Sequence, residues 1–405
     1  MSKPLQVGII GASAERGWAK VAHVPAVQGL AGLELGVVAT RDQPSAEKAA
    51  KAFGARAGYG DFKQLFADPD IDIVTVAVNV PAHRDLLLGA IAAGKHIYCE
   101  YPLGRDRAES EELAEAARAA GVHVAIGLQI GSNKAAGKAR DLIASGAIGR
   151  VLSARVLSTT MAFGPKVEAA MAFAERAENG VTLATIQGAH TLDTAIAVLG
   201  DFAEASALAT TQYPEVEVEA HGGTTRQVRT TPDHLLVQAR LAVGAPLSIE
   251  VAGGRPPEAT PFRFTVTGET HDLVLEGGAP RGFQSGRLRL LLDGAPVPVD
   301  EGESASMPDE AANVALVYAA LRDDILHGTA TATGFDHAVR VAKLVEDLLQ
   351  SSRTGTRMGA AGWPEQRYDS IAAAQGPERA SRSGRGVLRR RSPRGRALGP
   401  ASRPG

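Results

Sequence analysis

The chain has 405 residues, 44% of them apolar, a formal net charge of −2 and a single cysteine, Cys99. This length exceeds what one ordinary hydrophobic core holds, so we expect two domains. One cysteine excludes an internal disulfide framework and is typical of a reducing, cytoplasmic compartment. Neither a long apolar run nor a secretory pattern occurs, so we expect no membrane association.

Residues 1–150 alternate short β-branched strands with Ala-rich helices. The strand candidates in chain order are LQVGII, LELGVVAT, IDIVTVAV, KHIYCE and VHVAIGL. The helical stretches between the later ones are PSAEKAAKAFG, HRDLLLGAIAAGK and RAESEELAEAARAAG. This alternation predicts an α/β domain with a doubly wound parallel sheet of the Rossmann type.

The first strand ends in a glycine turn, VGIIGASAERGWAK, which holds Gly8, Gly11 and Gly17. Gly11 permits a sharp turn, and the helix that follows offers free N–H groups and a positive dipole end to a pyrophosphate. The dinucleotide fingerprint is not met strictly, because Ser13 takes the place of the second glycine and Gly17 comes one residue late. We predict a phosphate cradle, with charge added by Arg16; a plain tight loop is the alternative.

The end of the second strand, GVVATRDQ, bears on the choice of cofactor. An NAD site places Asp or Glu here for the ribose diol. Thr40 and Arg41 occupy that place, and Asp42 is displaced by one or two residues. A hydroxyl and a guanidinium suit a 2′-phosphate, so the sequence favours NADP. NAD stays open as the alternative if Arg41 is only a solvated charge.

The pattern changes after Arg150. The longer strand candidates, joined by Gly and Pro turns, are VLSARVLSTTM, EASALATTQ, DHLLVQARLA, PLSIEVAG, PFRFTVTG, HDLVLEG and RLRLLLDG. One helix near 185–199 interrupts them, and two amphipathic helices follow, NVALVYAALRDDIL and FDHAVRVAKLVEDLLQSS. This pattern predicts an α+β domain with a mainly antiparallel sheet over residues 151–358.

The end of the chain is strongly basic. Residues 376–405 contain nine Arg and one acid, Glu378. Such a segment has little to bury, so we predict a disordered Arg-rich tail over residues 359–405. A solvated extension is the simpler interpretation, and contact with nucleic acid or another acidic surface is the alternative. Nucleic-acid binding is not expected, because no motif or interleaved aromatic residue accompanies the charge.

The stretch VAVNVPAHRDLLLGAIAAGKHIYCEYPLG resembles the glucose–fructose oxidoreductase / inositol dehydrogenase / MocA (Gfo/Idh/MocA) family over about residues 5–358. GASAERGWAKVAHVPA, ENGVTLATIQGAHTLD and TPDHLLVQARL are similar to the branch of the yeast galactose-gene repressor, which binds nucleotide without known turnover. The resemblance implies a Rossmann domain and a second domain with a large, open, mainly antiparallel sheet. It also implies an active site between them and a homo-oligomer formed through that sheet.

The resemblance adds residues to the predicted cofactor site. Trp18 stands in the lengthened glycine loop, and Asn79 and Pro81 shape the turn under the cofactor. His83 starts a helix near the nicotinamide, and Glu100 ends the fourth of the predicted strands beside it.

Three departures from the family pattern bear on chemistry. Tyr101 stands where the family has a catalytic lysine, Ile186 stands where it has an aspartate, and the arginine after the fifth strand is missing. His190 and Asp193 remain, and an imidazole that titrates near neutrality is the predicted acid/base. Tyr101 is the predicted hydrogen-bond donor to the reacting oxygen. The alternatives are a buried His190 capped by Asp193, and a Tyr101 that only fills the volume of the lysine.

These features predict an NADP-dependent oxidoreductase that transfers hydride to or from a sugar, polyol or related hydroxy or keto compound. A catalytically silent nucleotide-binding regulator or sensor is the alternative, because the family's lysine and aspartate are both absent. No histidine or cysteine spacing is typical of a metal site, so we expect no metal.

Overall fold

The computed structural model describes residues 3–220, 222–256, 262–277, 279, 282–361 and 363. Of the predicted tail over residues 359–405, residues 359–361 and 363 are among those described, and the others lie outside them. The two large sheets of the described chain are a six-stranded parallel sheet and a nine-stranded mixed sheet. Both were predicted, and the α/β plus α+β fold class is confirmed.

The parallel sheet consists of β1 (Leu5–Ile10), β2 (Leu33–Ala39), β3 (Ala57–Tyr59), β4 (Ile73–Val76), β5 (His96–Cys99) and β6 (Val124–Ile126). Their spatial order is β3-β2-β1-β4-β5-β6. The order reverses between β1 and β4, and doubly wound sheets bind ligands at the carboxyl ends of the strands at such a point. The sequence did not indicate β3, because three half-buried residues carry no periodicity.

The helices around this sheet are α1 (Val24–Gly29), α2 (Gln43–Phe53), α3 (Phe62–Ala67), α4 (His83–Ala92), α5 (Arg107–Ala120) and α6 (Lys134–Ala144). A π-helical turn over residues 19–23 leads into α1. Asp42 and Asp106 cap α2 and α5 by accepting from the N–H groups of Ser45 and Glu109.

The second sheet contains β7 (Val151–Thr159), β9 (Phe202–Thr210), β12 (His234–Leu241), β13 (Pro246–Ala252), β14 (Phe262–Gly268), β15 (Asp272–Gly277), β16 (Leu288–Leu292), β17 (Ala295–Pro296) and β18 (Met358–Gly359). Their order is β17-β16-β15-β14-β7-β13-β12-β9-β18, and neighbours are antiparallel except β7 and β13. The remaining strands β8 (Lys166–Glu168), β10 (Glu215–Ala220) and β11 (Gly223–Val228) form a small sheet that the sequence did not predict.

Three further helices join the two sheets. The helix predicted near 185–199 is a π-helical turn over residues 184–188 followed by α7 (Ala189–Leu199). After it come α8 (Asp309–His327) and α9 (Phe335–Thr354). The first of these C-terminal helices packs on α1, and α9 packs on both α5 and β9. The C-terminal helices therefore connect the nucleotide-type domain with the large sheet. Within the described residues, no helix combines the length and apolarity that a bilayer crossing needs.

Candidate functional site

A cavity of about 740 Å³ opens at the carboxyl ends of β1 and β2. The predicted nucleotide residues that line it are Gly11, Ser13, Arg16, Gly17, Thr40 and Arg41. Its size lies in the range of small-molecule and cofactor sites. Ser45 and Lys48, on the first two turns of α2, also line it and were not predicted, because they lie in the helix beyond the end of the second strand.

The glycine turn is held tightly against the end of β4. Gly11 has φ +96°, and a Cβ atom there would lie 2.4 Å from the carbonyl oxygen of Ala77. No other residue therefore fits at this point without moving the backbone. Gly8 has a different role, because its Cα faces Leu65 of α3, where a Cβ atom would lie 3.1 Å from the leucine.

The end of β2 presents hydroxyl groups and cations to the cavity. Thr40 Oγ1 lies 2.5 Å from Ser45 Oγ. The nearby acid is already engaged, because Asp42 accepts from the Ser45 N–H at 2.8 Å and lies 3.2 Å from Arg41 Nε. Arg41 itself is 91% exposed, and an exposed ion pair of this kind contributes little to holding its guanidinium in one place.

An ion pair connects the glycine loop with α2. Lys48 Nζ lies 2.7 Å from Glu15 Oε1, and both side chains are exposed. The hydrogen bond from Lys48 and its charge lower the pKa of Glu15. Lys20 donates to the carbonyl oxygen of Ala14 at 2.8 Å, which braces the same loop from the other side.

The two principal predicted reaction groups meet between the domains. Tyr101 follows β5 and precedes a cis peptide bond with Pro102, whereas His190 lies in the first turn of α7. Their ring centroids are 6.1 Å apart, with the rings edge to face. Tyr101 is 7% exposed and His190 is 5% exposed.

Burial moves the pKa values of these two groups in opposite directions. It raises the pKa of Tyr101, and the charge of Asp193 raises it further. Burial lowers the pKa of His190 to about 4, although Glu100 and Asp193 act against this shift. At neutral pH the phenol is therefore a protonated donor, and the imidazole is an uncharged acceptor.

The basic residues nearest Tyr101 in the sequence are engaged elsewhere. Lys95 donates to the backbone carbonyls of Asp68 and Ile71. Arg105, just before α5, pairs with the buried Glu109 at 3.0 Å. Neither supplies a cation that would lower the pKa of the phenol.

Asp193 does not cap His190, which was one alternative from the sequence. Its Oδ1 lies 2.5 Å from Nε2 of His337, and both side chains are buried. The Nδ1 atom of His190 is buried without a hydrogen-bond partner. His337 lies 144 residues further along the chain, and no local sequence signal could have indicated this contact.

Glu100 contacts a second buried histidine. Its Oε1 lies 3.0 Å from His23 Nε2, but the two atoms are not aligned for a hydrogen bond. His23 Nδ1 lies 2.9 Å from the Tyr318 hydroxyl, which in turn lies 2.7 Å from Thr75 Oγ1. These polar contacts run from Glu100, next to Tyr101 at the end of β5, through His23 in the turn after the glycine loop to Tyr318 and Thr75.

The other predicted cofactor residues lie beside the cavity and do not line it. His83 starts α4 and is buried, with its ring nitrogens 3.0 Å from the Val78 carbonyl and 3.3 Å from the Leu103 carbonyl. Asn79 and Pro81 are exposed in the turn before it. Trp18 is half-buried, and its Nε1 atom is buried without a hydrogen-bond partner.

No group of three or more His, Cys, Asp or Glu side chains that could hold a metal ion occurs among the residues that the structure describes.

Two family models match the chain. Residues 5–128 match an oxidoreductase family with an NAD-binding Rossmann fold, and residues 135–277 match the C-terminal domain of Gal80p. Dehydrogenase aclE of Aspergillus oryzae is 30% identical over 286 residues, which cover 68% of this chain and 78% of that protein. The galactose/lactose metabolism regulatory protein GAL80 of Saccharomyces cerevisiae is 26% identical over 295 residues, 68% of this chain and 67% of that protein.

A solved structure of levoglucosan dehydrogenase in complex with NADH and levoglucosan shares the fold. Its TM-score is 0.75 at 22% identity, and the match covers 88% of this chain and 99% of that one. The family resemblance inferred from the motifs around Tyr101 and His190 is thereby confirmed. The chain belongs to the Gfo/Idh/MocA family of NAD(P)-dependent oxidoreductases, near its Gal80 branch.

Proposed function

We propose that the chain is an NADP-dependent oxidoreductase that transfers hydride to or from a sugar, polyol or related hydroxy or keto compound. The observation that carries this proposal is the meeting of Tyr101 and His190, 6.1 Å apart by ring centroids. One group comes from the nucleotide-type domain and the other from α7. A substrate bound between the domains would meet a donor and an acceptor at one oxygen.

The residues of the cavity fit a nicotinamide dinucleotide with a 2′-phosphate. The Gly11 turn approaches Ala77 closely and lines the cavity, together with Ser13 and Gly17 of the same loop. The cavity around the end of β2 is lined by two hydroxyl groups and two cationic side chains, those of Thr40, Ser45, Arg41 and Lys48. The nearby carboxylate, Asp42, is engaged as the cap of α2. When bound, the nicotinamide of such a cofactor supplies the acceptor or donor of hydride.

The protonation states of Tyr101 and His190 suit a proton transfer at the reacting oxygen. With a pKa of about 4, His190 is neutral at physiological pH and accepts the hydroxyl proton during oxidation. Tyr101, with a raised pKa, remains protonated and donates to the same oxygen. In the reductive direction the protonated His190 returns the proton to the oxygen, and Tyr101 again donates only a hydrogen bond. General acid–base assistance of this kind contributes about 10²- to 10⁴-fold.

The proposed substrate class is uncharged and hydroxylated. Gln129, on the turn after β6 that packs against α7, has a buried Oε1 atom without a hydrogen-bond partner. Gln187, one turn before His190, is 1% exposed and donates to Ser158 Oγ at 2.8 Å. The amide oxygen of Gln129 is able to accept a hydrogen bond from a hydroxyl group. The levoglucosan complex of a protein with this fold supports the same class.

The second candidate function is a regulator that binds nucleotide without turnover. Two observations favour it: the match to the Gal80p C-terminal domain, and the displacement of both reacting-group pKa values away from neutrality. The cytoplasmic location expected from the single cysteine, which is buried, suits either function.

Turnover decides between the two candidates. Purified protein would be mixed with NADP or NAD and a panel of sugars, inositols and keto-sugars, and the reduced-nicotinamide absorbance band followed. Turnover that is lost in His190→Ala, with nucleotide binding retained, supports the enzyme. Nucleotide binding without turnover on any member of the panel supports the regulator.

We also propose that the open face of the large sheet pairs with a second copy of the chain. Leu208 on β9 and Leu236 on β12 are direct cross-strand partners, and they are 53% and 39% exposed. The same face contains a cavity of about 670 Å³ lined by Arg155, Gln238 and Ser248. The two leucines lie side by side on an exposed sheet face, and this arrangement supports the proposal.

A further inference from the structure

One wall of the nucleotide cavity differs from the glycine loop and from the end of β2. It consists of Phe62 at the start of α3, Val78 after β4, and Ala82, Asp85 and Leu86 around the start of α4. Four of these five side chains are apolar, whereas the end of β2 carries hydroxyl groups and cations. The base of a dinucleotide is attached to the ribose that we place at the end of β2. The base should therefore lie within reach of this wall.

Phe62 gives the wall an aromatic ring that is open to the cavity. It is the only exposed phenylalanine of the ten in the chain, all of which lie among the described residues, and it is 38% exposed. The ring of Phe66 contacts it at a centroid distance of 5.7 Å. Phe66 in turn lies against Gly89 of α4, where a Cβ atom would be 2.6 Å from the ring. An aromatic ring that is supported in this way offers a flat surface on which a nucleotide base can stack.

Asp85 supplies the polar group of the same wall. It precedes Gly89 by one turn of α4, so it lies on the helix face against which Phe66 packs. Its neighbour Arg84 is 3.6 Å away and donates to both carboxylate oxygens of Glu112. The Asp85 side chain lines the cavity and is exposed, so it is accessible to a bound base.

A carboxylate at this position distinguishes between purine bases. Adenine carries an amino group at C6, which donates hydrogen bonds, whereas hypoxanthine and guanine carry an oxygen there, which accepts them. A carboxylate accepts hydrogen bonds and cannot donate them. Adenine would therefore gain a hydrogen bond at Asp85, and a 6-oxo purine would place its oxygen against a negative charge.

We propose that Phe62 and Asp85 form the adenine site of the cavity: the phenylalanine ring stacks on the base, and the Asp85 carboxylate accepts from its 6-amino group. Asp85 is then the residue that selects adenine over a 6-oxo purine. This inference rests on the nucleotide binding in the proposed function. It depends neither on hydride transfer nor on the 2′-phosphate.

The test is a calorimetric titration with NAD, NADP and their deaminated analogues, in which hypoxanthine replaces adenine. The wild type should bind each deaminated analogue about tenfold more weakly than its parent, because the exposed carboxylate contributes one charge-assisted hydrogen bond. In Asp85→Asn the side-chain amide can either accept or donate, so the affinities for parent and analogue should agree within about twofold.

Glu15→Gln is the matched control, because it removes a carboxylate from the opposite side of the same cavity, on the glycine loop. Whatever it does to the affinities, it should leave the ratio between adenine and hypoxanthine dinucleotides as in the wild type. Equal binding of parent and analogue by the wild type, or an unchanged ratio in Asp85→Asn, would overturn the role of Asp85.

Phe62→Ala tests the stacking surface. It should weaken the binding of all four nucleotides about tenfold and leave the ratio between the bases unchanged, since every purine has a flat face. Leu326→Ala, at an exposed apolar residue of α8, should bind them as the wild type does. Full affinity in Phe62→Ala would overturn the stacking role. A wild type that binds none of the four contradicts the proposed function as well, whereas one that binds all four equally contradicts only the selection of adenine.

Discussion

The ring of Tyr101 meets the ring of His190 edge to face, with centroids 6.1 Å apart, although the two residues belong to different domains. The strand end after β5 fixes one partner, and the first turn of α7 fixes the other. Relative movement of the domains would therefore change this contact before it changed the nucleotide cavity. Substitutions at the two positions should act on the reaction and spare cofactor binding.

Tyr101→Phe isolates the hydroxyl from the ring. The variant keeps the edge-to-face contact and the buried volume, so we expect nucleotide affinity to be unchanged. Loss of the donor to the reacting oxygen should lower kcat by about 10²-fold or more. Tyr213→Phe, at a half-buried tyrosine of the second domain, is the control and should have full activity. Steady-state kinetics and calorimetric nucleotide titration give the two readouts, and an active Tyr101→Phe enzyme would rule out the donor role.

Cofactor selectivity should depend on Lys48. Lys48 lines the cavity at the second turn of α2, where it pairs with Glu15 at 2.7 Å. Lys48→Ala should weaken NADP binding about tenfold by removing a charge-assisted contact to the 2′-phosphate, and leave NAD binding unchanged. Lys51→Ala, at an exposed lysine on the same helix, should have no effect. Equal losses for both nucleotides in a calorimetric titration would contradict the 2′-phosphate assignment.

Glu15→Gln tests the same site from the opposite direction. Removal of the carboxylate frees Lys48 and takes a negative charge from the glycine loop. We therefore expect tighter binding of NADP, with a smaller change for NAD, measured by the same titration. Weaker NADP binding would mean that the ion pair holds the loop in its binding conformation.

The sequence alone was enough to predict the fold and to name part of the candidate site. Gly11, Tyr101 and His190 were recognisable because each lies in a short motif at the end of a strand or the start of a helix. Ser45 could have been found by following the chain from Thr40 into α2. The pairing of His337 with Asp193 and that of Tyr318 with His23 span 144 and 295 residues. Such contacts depend on how α8 and α9 pack across both domains, which no local pattern encodes.

Stability should fall as the pH is lowered through the titration range of His190. Burial holds its pKa at about 4 in the folded protein, against 6.5 for an ordinary histidine. Between these values the unfolded chain binds a proton that the folded chain does not, so acid favours unfolding. Between these values His190 should contribute a slope of at most about 1.4 kcal/mol per pH unit to the free energy of unfolding. Above pH 6.5 the imidazole is neutral in both states, so the stability that acid removes is fully present.

Urea unfolding at a series of pH values measures this slope. In His190→Asn the free energy of unfolding should depend less steeply on pH between 4 and 6.5. An identical slope in both proteins would show that the folded state does not depress the pKa of His190.

Arg229 should be essential for the stability of the protein, because it holds together the loop region that flanks α7. Its guanidinium is fully buried between the carboxylates of Glu175 and Asp233, and it also donates to two backbone carbonyls. Arg229→Met would leave two buried carboxylates without their cation, at a cost of about 3–5 kcal/mol. Arg226→Met is the matched control, since Arg226 is 77% exposed and its ion pair with Glu215 is long, at 3.8 Å. Comparable urea midpoints for the two variants would contradict this role.

The proposed pairing of two chains should fail when a charge is placed on the open face of the large sheet. Leu208→Asp puts a carboxylate opposite Leu236 on the neighbouring strand, where it would be buried if a second copy covered this face. Burial of an uncompensated charge costs several kcal/mol, enough to separate a dimer at micromolar concentration. Light scattering coupled to gel filtration should show a dimer for the wild type and a monomer for the variant. Val228→Asp, at an exposed apolar residue on the small sheet, should remain dimeric; a wild-type monomer, or a dimeric Leu208→Asp, would exclude this face as the interface.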